Sequence, residues 1–268
     1  MGLSIKAFDQ KGPRTDVARR AALRGVDYLE RIARLRTDLC RPVLKIEWSG
    51  TDDLAQAMIA AAQAMGDADL TPMAAVAGTL ADGVADWLVE RGMTRVIVDN
   101  GGDLAIRLAP GETVSVGVRT NIRRPEVTHI LELDDRSSSW GVTTSGLGGR
   151  SFTRGIASAV TAVAHRANYA DAAATAIANA CWVPDPAIRQ VPAHLLDPDS
   201  DIPQLPVTVG VGALSPGAFA RAVARAVDKS DALTHCGVVL GSLVAAGGLV
   251  TITEGLEDML AVHEMRPD

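Results

Sequence analysis

Between residues 95 and 144 one short β-branched run follows another, with no helical stretch between them. The runs are Arg95–Asp99, Leu104–Leu108, Val114–Val118, Val127–Leu133 and Trp140–Thr144. Strands joined by so few residues pair as antiparallel hairpins and meanders, because parallel neighbours need a crossover of about a dozen residues or more. Further runs at Val43–Trp48, Ser158–Ala164, Val207–Val211 and Gly237–Ile252 read as strands, the last as two buried ones. Five helices are expected around them. Thr15 opens one to about Arg36, Thr51 one through Met65, and Thr71-Pro72 one that stops near Gly92. The others run from Tyr169 to about Cys181 and from Ser215-Pro216 through Val227. This order predicts a mixed, layered α+β fold with antiparallel meanders and helices on the sheet faces, not a doubly wound Rossmann sheet.

At 268 residues, 47% hydrophobic, the chain can bury a large core, and with 3% aromatic residues that core must rest on Ala, Val, Leu and Ile. Residues 184–206 hold six of the thirteen prolines and the acidic DPDSD run, so 183–206 is expected to be a surface loop or linker on one compact domain, 1–268. Cys40, Cys181 and Cys236 are far apart and form no CxxC pair, which points away from a disulfide framework or structural zinc. The N-terminus lacks the apolar core of a signal peptide, and the glycine-broken stretch 237–252 is too short to span a bilayer. A cytoplasmic protein without a membrane partner is expected. The net charge of −6 argues against nucleic acid as a partner. Residues 1–36 nevertheless carry +5, leaving −11 for the rest; this fits either a solvated helix face or an arm that docks an acidic partner or a second subunit.

Three segments could carry chemistry. In Tyr169–Ala180, Asp171 and Thr175 are four apart and share a helix face, where a carboxylate and a hydroxyl can hold one hard cation. The same pair could serve only to stabilise its own helix start and bond back to a carbonyl. In VDNGGD, Asn100, Gly101, Gly102 and Asp103 form either a plain hairpin turn or a turn whose N–H groups face a phosphate or ring edge. In Thr143, Thr144, Ser145, Gly146 and the glycines beyond, with Arg150 and Arg154, hydroxyls and guanidinium groups suit an anion, as does a flexible loop. No Walker, GxGxxG, HExxH or GxSxG spacing occurs.

Taken in order, MAAVAGTLADGVADWLVERG (73–92), VIVDNGGDLAI, VTTSG (142–146) and ADAAATAIANA (170–180) resemble the ApbE-type FAD:protein FMN transferases, and more closely an uncharacterised bacterial and archaeal branch of that superfamily. The resemblance covers about residues 45–182 and weakens toward 250. The stretch DPDSDIP to VTVGVGALSP is also similar to the related domain of 6-hydroxynicotinate reductases. It implies the ApbE-like, T-fold-related architecture, and FAD or FMN with Mg2+ as ligands. It further implies magnesium on Asp171, Thr175 and a backbone carbonyl near Ala75 (or Ala74), with Asn100–Asp103, Thr143–Gly146 and Arg150 lining the nucleotide cleft. Two departures stand against protein flavinylation: Ala77 occupies the position where the family carries Lys, and SFTRGIASA replaces its His-x-x-Asp-Pro segment. The expected function is therefore binding of a flavin nucleotide or related ligand in redox or nitrogen-heterocycle metabolism, as a transferase or reductase. True FMN transfer with altered residues, and a non-catalytic carrier or reductase subunit, stand as alternatives.

Overall fold

The computed structural model describes residues 2–121, 124–149 and 151–262. In chain order the elements are strands β1 (Ser4–Asp9) and β2 (Gly12–Pro13), then helices α1 (Thr15–Arg34), α2 (Arg36–Leu39), α3 (Asp53–Ala64) and α4 (Val76–Val89). Strands β3 (Arg95–Asp99), β4 (Asp103–Leu108), β5 (Val114–Val118), β6 (His129–Leu133), β7 (Ser139–Ser145) and β8 (Ala159–Ala164) follow. Helix α5 (Ala167–Ala180), strands β9 (Ile188–Pro192) and β10 (Pro206–Val211), helix α6 (Pro216–His235) and strands β11 (Gly241–Ala246), β12 (Leu249–Ile252) and β13 (Leu260–Val262) complete it. The expected α+β class, with helices on antiparallel strands, is the observed one.

The chain forms two compact units. The first comprises Met1–Val114, Asp134–Thr143 and Val163–Ala172. Its strands lie in the order β7-β4-β3-β1-β2, and α4 packs on β3 and β4 with α1 against it. The β1–β2, β1–β3, β3–β4 and β4–β7 pairings are all antiparallel, with Asp99 opposite Leu104 across the β3–β4 hairpin and Asp103 opposite Thr143 across β4–β7. The second unit comprises Ser115–Leu133, Thr144–Ala162 and Ala173–Asp268. It holds the strand order β12-β11-β8, a three-stranded sheet β13-β6-β5, the pair β9-β10, and α6 packed on β11.

Local chemistry explains the element ends, and corrects several expectations. Asp52, not Thr51, caps α3, its carboxylate accepting the Ala55 N–H at 3.0 Å. Arg14 occupies the cap position of α1, and no side chain bonds there. Ser215 does cap α6, which runs on to His235 because Ala218, Ala222, Ala226, Ser230 and Leu233 continue a buried stripe past Val227. Thr71-Pro72 opens a 3-10 turn, Pro72–Ala75, and the α-helix proper starts at Val76. Residues 43–48 are not a strand: Val43–Lys45 form a 3-10 turn after Pro42, tied by one backbone bond from Val43 to Leu70. A β-rich run without a neighbouring strand to pair with gains nothing from its propensity. Within 183–206, residues 188–192 form β9, because β10 supplies a partner across a bulge at Thr208/Gly210. The N-terminal β1, unforeseen in the sequence, pairs with β3 from Ser4↔Asp99 to Phe8↔Arg95. No described helix is long and apolar enough to cross a membrane.

Candidate functional site

In the first unit the site is built where α4 and α5 meet. Gly78 makes this possible: a Cβ there would lie 2.2 Å from the Ala167 carbonyl oxygen and 2.7 Å from the Asn168 nitrogen. At this contact each helix lends a carboxylate to the other. Asp171 Oδ2, on α5, accepts the Gly78 N–H at 2.9 Å, in the first turn of α4. Asp82 Oδ2, on α4, accepts the Asn168 N–H at 3.0 Å, in the first turn of α5. Helix N-termini leave N–H groups without intrahelical partners, and an anion there also meets the positive end of the dipole. Each carboxylate thus serves the start of the neighbouring helix.

Arginines secure the same crossing. Arg107 on β4 donates to Asp82 at 2.7 Å and to Asp86 at 2.8 Å, and Arg166 donates to Asp86 at 2.7 Å. The Arg107 and Asp82 side chains are 6% and 3% exposed, so this pair is out of water. Burial would raise the Asp86 carboxyl, but the charge of Arg107 and the bonds from Arg166 and Arg107 outweigh it and hold it below the ordinary carboxylate range. A carboxyl lowered by folding contributes stability that is complete above its unfolded value of about 3.9 and lost as pH falls through its folded value. The Asp86 contribution to the melting temperature is therefore expected to hold level above about pH 5 and to fall below about pH 4. Asp86→Asn should remove part of that slope, as calorimetry at a series of pH values would read.

Along β4, alternation puts Asp103 on the same sheet face as Arg107, the face that α4 covers, and Thr143 stands opposite it on β7. Asp103 and Asp171 are close enough to matter to each other. Burial pushes the Asp171 carboxyl well above the usual range, and the Asp103 charge, then that of Asp82, push the same way against the Gly78 and Ala77 N–H groups. The Thr143 hydroxyl is fully buried and that of Thr79 nearly so, and neither finds a hydrogen-bond partner among the described residues. Asn100 is buried and donates from Nδ2 to the Ala77 carbonyl at 3.3 Å, tying the hairpin to the same helix turn.

Thus Asn100 and Asp171 are both tied to the first turn of α4, Asp103 and Thr143 face each other across β4–β7 on the sheet face that this helix covers, and buried Ala75 sits at the helix's cap position. The glycine turn itself is a hairpin: Gly101 and Gly102 have φ of 74° and 108°. Its amides are engaged internally, Gly102 N–H on Asp99 at 2.8 Å and Asn100 N–H on the Asp103 carbonyl at 3.0 Å. Two of the turn's amides, those of Asn100 and Gly102, are thus engaged within the hairpin itself. In the second unit, Thr144 shares its hydroxyl with Thr161 at 2.8 Å, and the Ser145 hydroxyl is buried without a described partner. Gly146, with φ of 158°, brings its backbone close to Ser158 and Ala159. Thr175 is half-buried, one helical turn beyond Asp171 on a helix otherwise buried along that stretch. Arg150 lies outside the described residues. Sequence reading missed Asp82, Gly78 and Thr79; a glycine inside a good helical run, four residues before an aspartate, was the available signal.

Among the described residues no cluster of three or more His, Cys, Asp or Glu suited to a metal ion occurs. Beside Asp171 the first unit offers the Asp103 carboxylate and the unpartnered hydroxyls of Thr79 and Thr143, all of them oxygen groups. Oxygen groups are the ligands that a hard cation takes.

The fold is that of the ApbE-type flavinyl transferases: the apo structure of flavinyl transferase ApbE from Pseudomonas stutzeri superposes with a TM-score of 0.50 at 14% identity, covering 96% of this chain and 92% of that one. The chain belongs to the AbpE bacteria family, which it matches over residues 1–252. It is also similar to the UPF0280 protein of Methanopyrus kandleri, 40% identical over 147 residues, or 54% of this chain and 55% of that protein. The UPF0280 protein of Methanococcus aeolicus is 35% identical over 121 residues, 44% of this chain and 49% of that protein. The matched stretches thus span about half the length of these relatives.

Proposed function

We propose that this protein binds a flavin nucleotide, or a ligand of the same phosphate-bearing class, together with a divalent cation at the start of α4, and that its reaction is not flavin transfer to protein. The observation that carries the reading is the placement of Asp171 on the first turn of α4 and of Asp103 on the sheet face that this helix covers, opposite the buried, unpartnered Thr143 hydroxyl. Two carboxylates that repel each other are stabilised by a cation between them, and a buried hydroxyl without a partner costs about 1–3 kcal/mol unless a ligand satisfies it. Magnesium, when bound, would neutralise phosphate charge. Asp171 and Asp103 would hold it, the former through the lone pairs that the Gly78 and Ala77 amides leave open. The Ala75 carbonyl could join only through its second lone pair, since a cap carbonyl already accepts the first helical bond. Thr175 follows Asp171 by one turn on its helix and is the companion residue to substitute.

Ala77 supports the negative half of the proposal. Its N–H serves Asp171 and its carbonyl serves Asn100, while its side chain is a methyl that can neither accept nor release a proton. Fold likeness cannot supply that missing chemistry. The test is titration of FAD and FMN, with and without Mg2+, followed by fluorescence and calorimetry. Affinity that rises with Mg2+ and falls at least about tenfold in Asp171→Ala and Asp103→Asn is expected. Flavin binding indifferent to both the cation and these substitutions would defeat the proposed site. Covalent FMN on an acceptor protein would restore the transferase alternative.

A further inference from the structure

A groove of about 550 Å³ opens in the second unit between the β5–β6 connection and the β11–β12 hairpin, far in sequence from Asp171 and Asp103. Its walls are pinned: the Ser158 hydroxyl lies 3.0 Å from both the Thr120 and Ala245 carbonyls. Three features of its rim are unusual together. Leu249 and Val250 are 55% and 40% exposed. They begin β12, the last strand of its sheet, whose one strand neighbour among the described residues is β11. That strand, Leu-Val-Thr-Ile, contains no charge, lysine or proline of the kind that normally blunts a free edge. Beside it, Arg124 and Glu126 are exposed, and neither side chain has an ion-pair partner among the described residues.

We infer that a second copy of this chain docks along β12, through a two-fold axis that sets Arg124 of each copy against Glu126 of the other. The charge pattern selects this occupant. The groove offers a cation and an anion two residues apart, and a partner satisfies both by presenting an acid and a base in the reverse order. A two-fold related copy does so automatically, because an isologous interface matches residue i with j and j with i. The same operation lays two uncharged edges side by side and covers Leu249 and Val250 on both chains. The inference is independent of the proposed flavin site, which lies on other residues.

Analytical ultracentrifugation of the full chain from about 1 to 200 µM, at low and high salt, tests it. A dimer that weakens with salt is expected. Arg124→Glu and Glu126→Arg should each weaken it at least about tenfold, since like charges then face each other. The double variant R124E/E126R should return to nearly wild-type affinity, and Val250→Lys should remove the dimer. Arg124→Gln and Glu126→Gln serve as milder checks, each weakening it less than the reversals, and thermal melts establish that every variant is folded. A wild-type chain that stays monomeric throughout, reversals that leave a dimer untouched, or a double variant no tighter than its single parents would each overturn the inference.

Discussion

Gly78→Ala is expected to be among the most damaging single substitutions in the chain, lowering stability by at least about 3 kcal/mol and the melting temperature by about 6–12 °C. On an exposed helix the same change would be favourable by up to about 1 kcal/mol, because alanine is the better helix former. Here the new methyl would meet backbone, the Ala167 carbonyl at 2.2 Å and the Asn168 nitrogen at 2.7 Å, and backbone cannot rotate away as a side chain can. The helices must separate, and separation breaks the Gly78–Asp171 and Asn168–Asp82 bonds together. A thermal melt of G78A reads the loss. A rise or no change in melting temperature would show that the helices do not cross so closely.

The second large effect is expected at Asp82→Ala, at about 3–5 kcal/mol. Removing this carboxylate takes a partner from Arg107 at 6% exposure and leaves the Asn168 amide without its acceptor. A buried pair broken on one side costs more than the pair contributes, because one charge remains desolvated. The double variant R107M/D82L separates the two parts. It removes the stranded charge and should recover much of the loss, while the part due to the missing cap on α5 should persist. Urea unfolding of the single and double variants measures both. Equal losses in the two would assign the whole effect to the cap.

How much of this was legible in the sequence depended on whether the cause was local. The strands at 95–99 and 104–108 were legible because β-branched runs flank Asn-Gly-Gly, and the positive φ at Gly101 and Gly102 is what that turn demands. The run 43–48 looked the same in composition yet forms no strand, since the partner needed to realise it is a matter of tertiary structure. β1 went unread for the converse reason: Ser-Ile-Lys-Ala-Phe-Asp is an unremarkable hexapeptide until β3 lies beside it. At the candidate site, Asp171 was legible from its place one turn before Thr175. Its attachment to Gly78 was not, because that bond joins residues 93 apart and no periodicity encodes it. The partnership of Asp103 with Thr143 likewise required the β4–β7 register, which fixes the face on which each side chain stands.

The exchange of carboxylates between α4 and α5 sets a limit on whatever uses Asp171. One of its oxygens is already spoken for by the Gly78 amide, so an incoming ligand and the first turn of α4 compete for the same acid group. A guest content with the remaining lone pairs leaves the scaffold intact; one that demands the whole carboxylate must unfasten a helix to obtain it. Selectivity at this position can therefore arise from how little a ligand asks of the protein, rather than from how many contacts it makes.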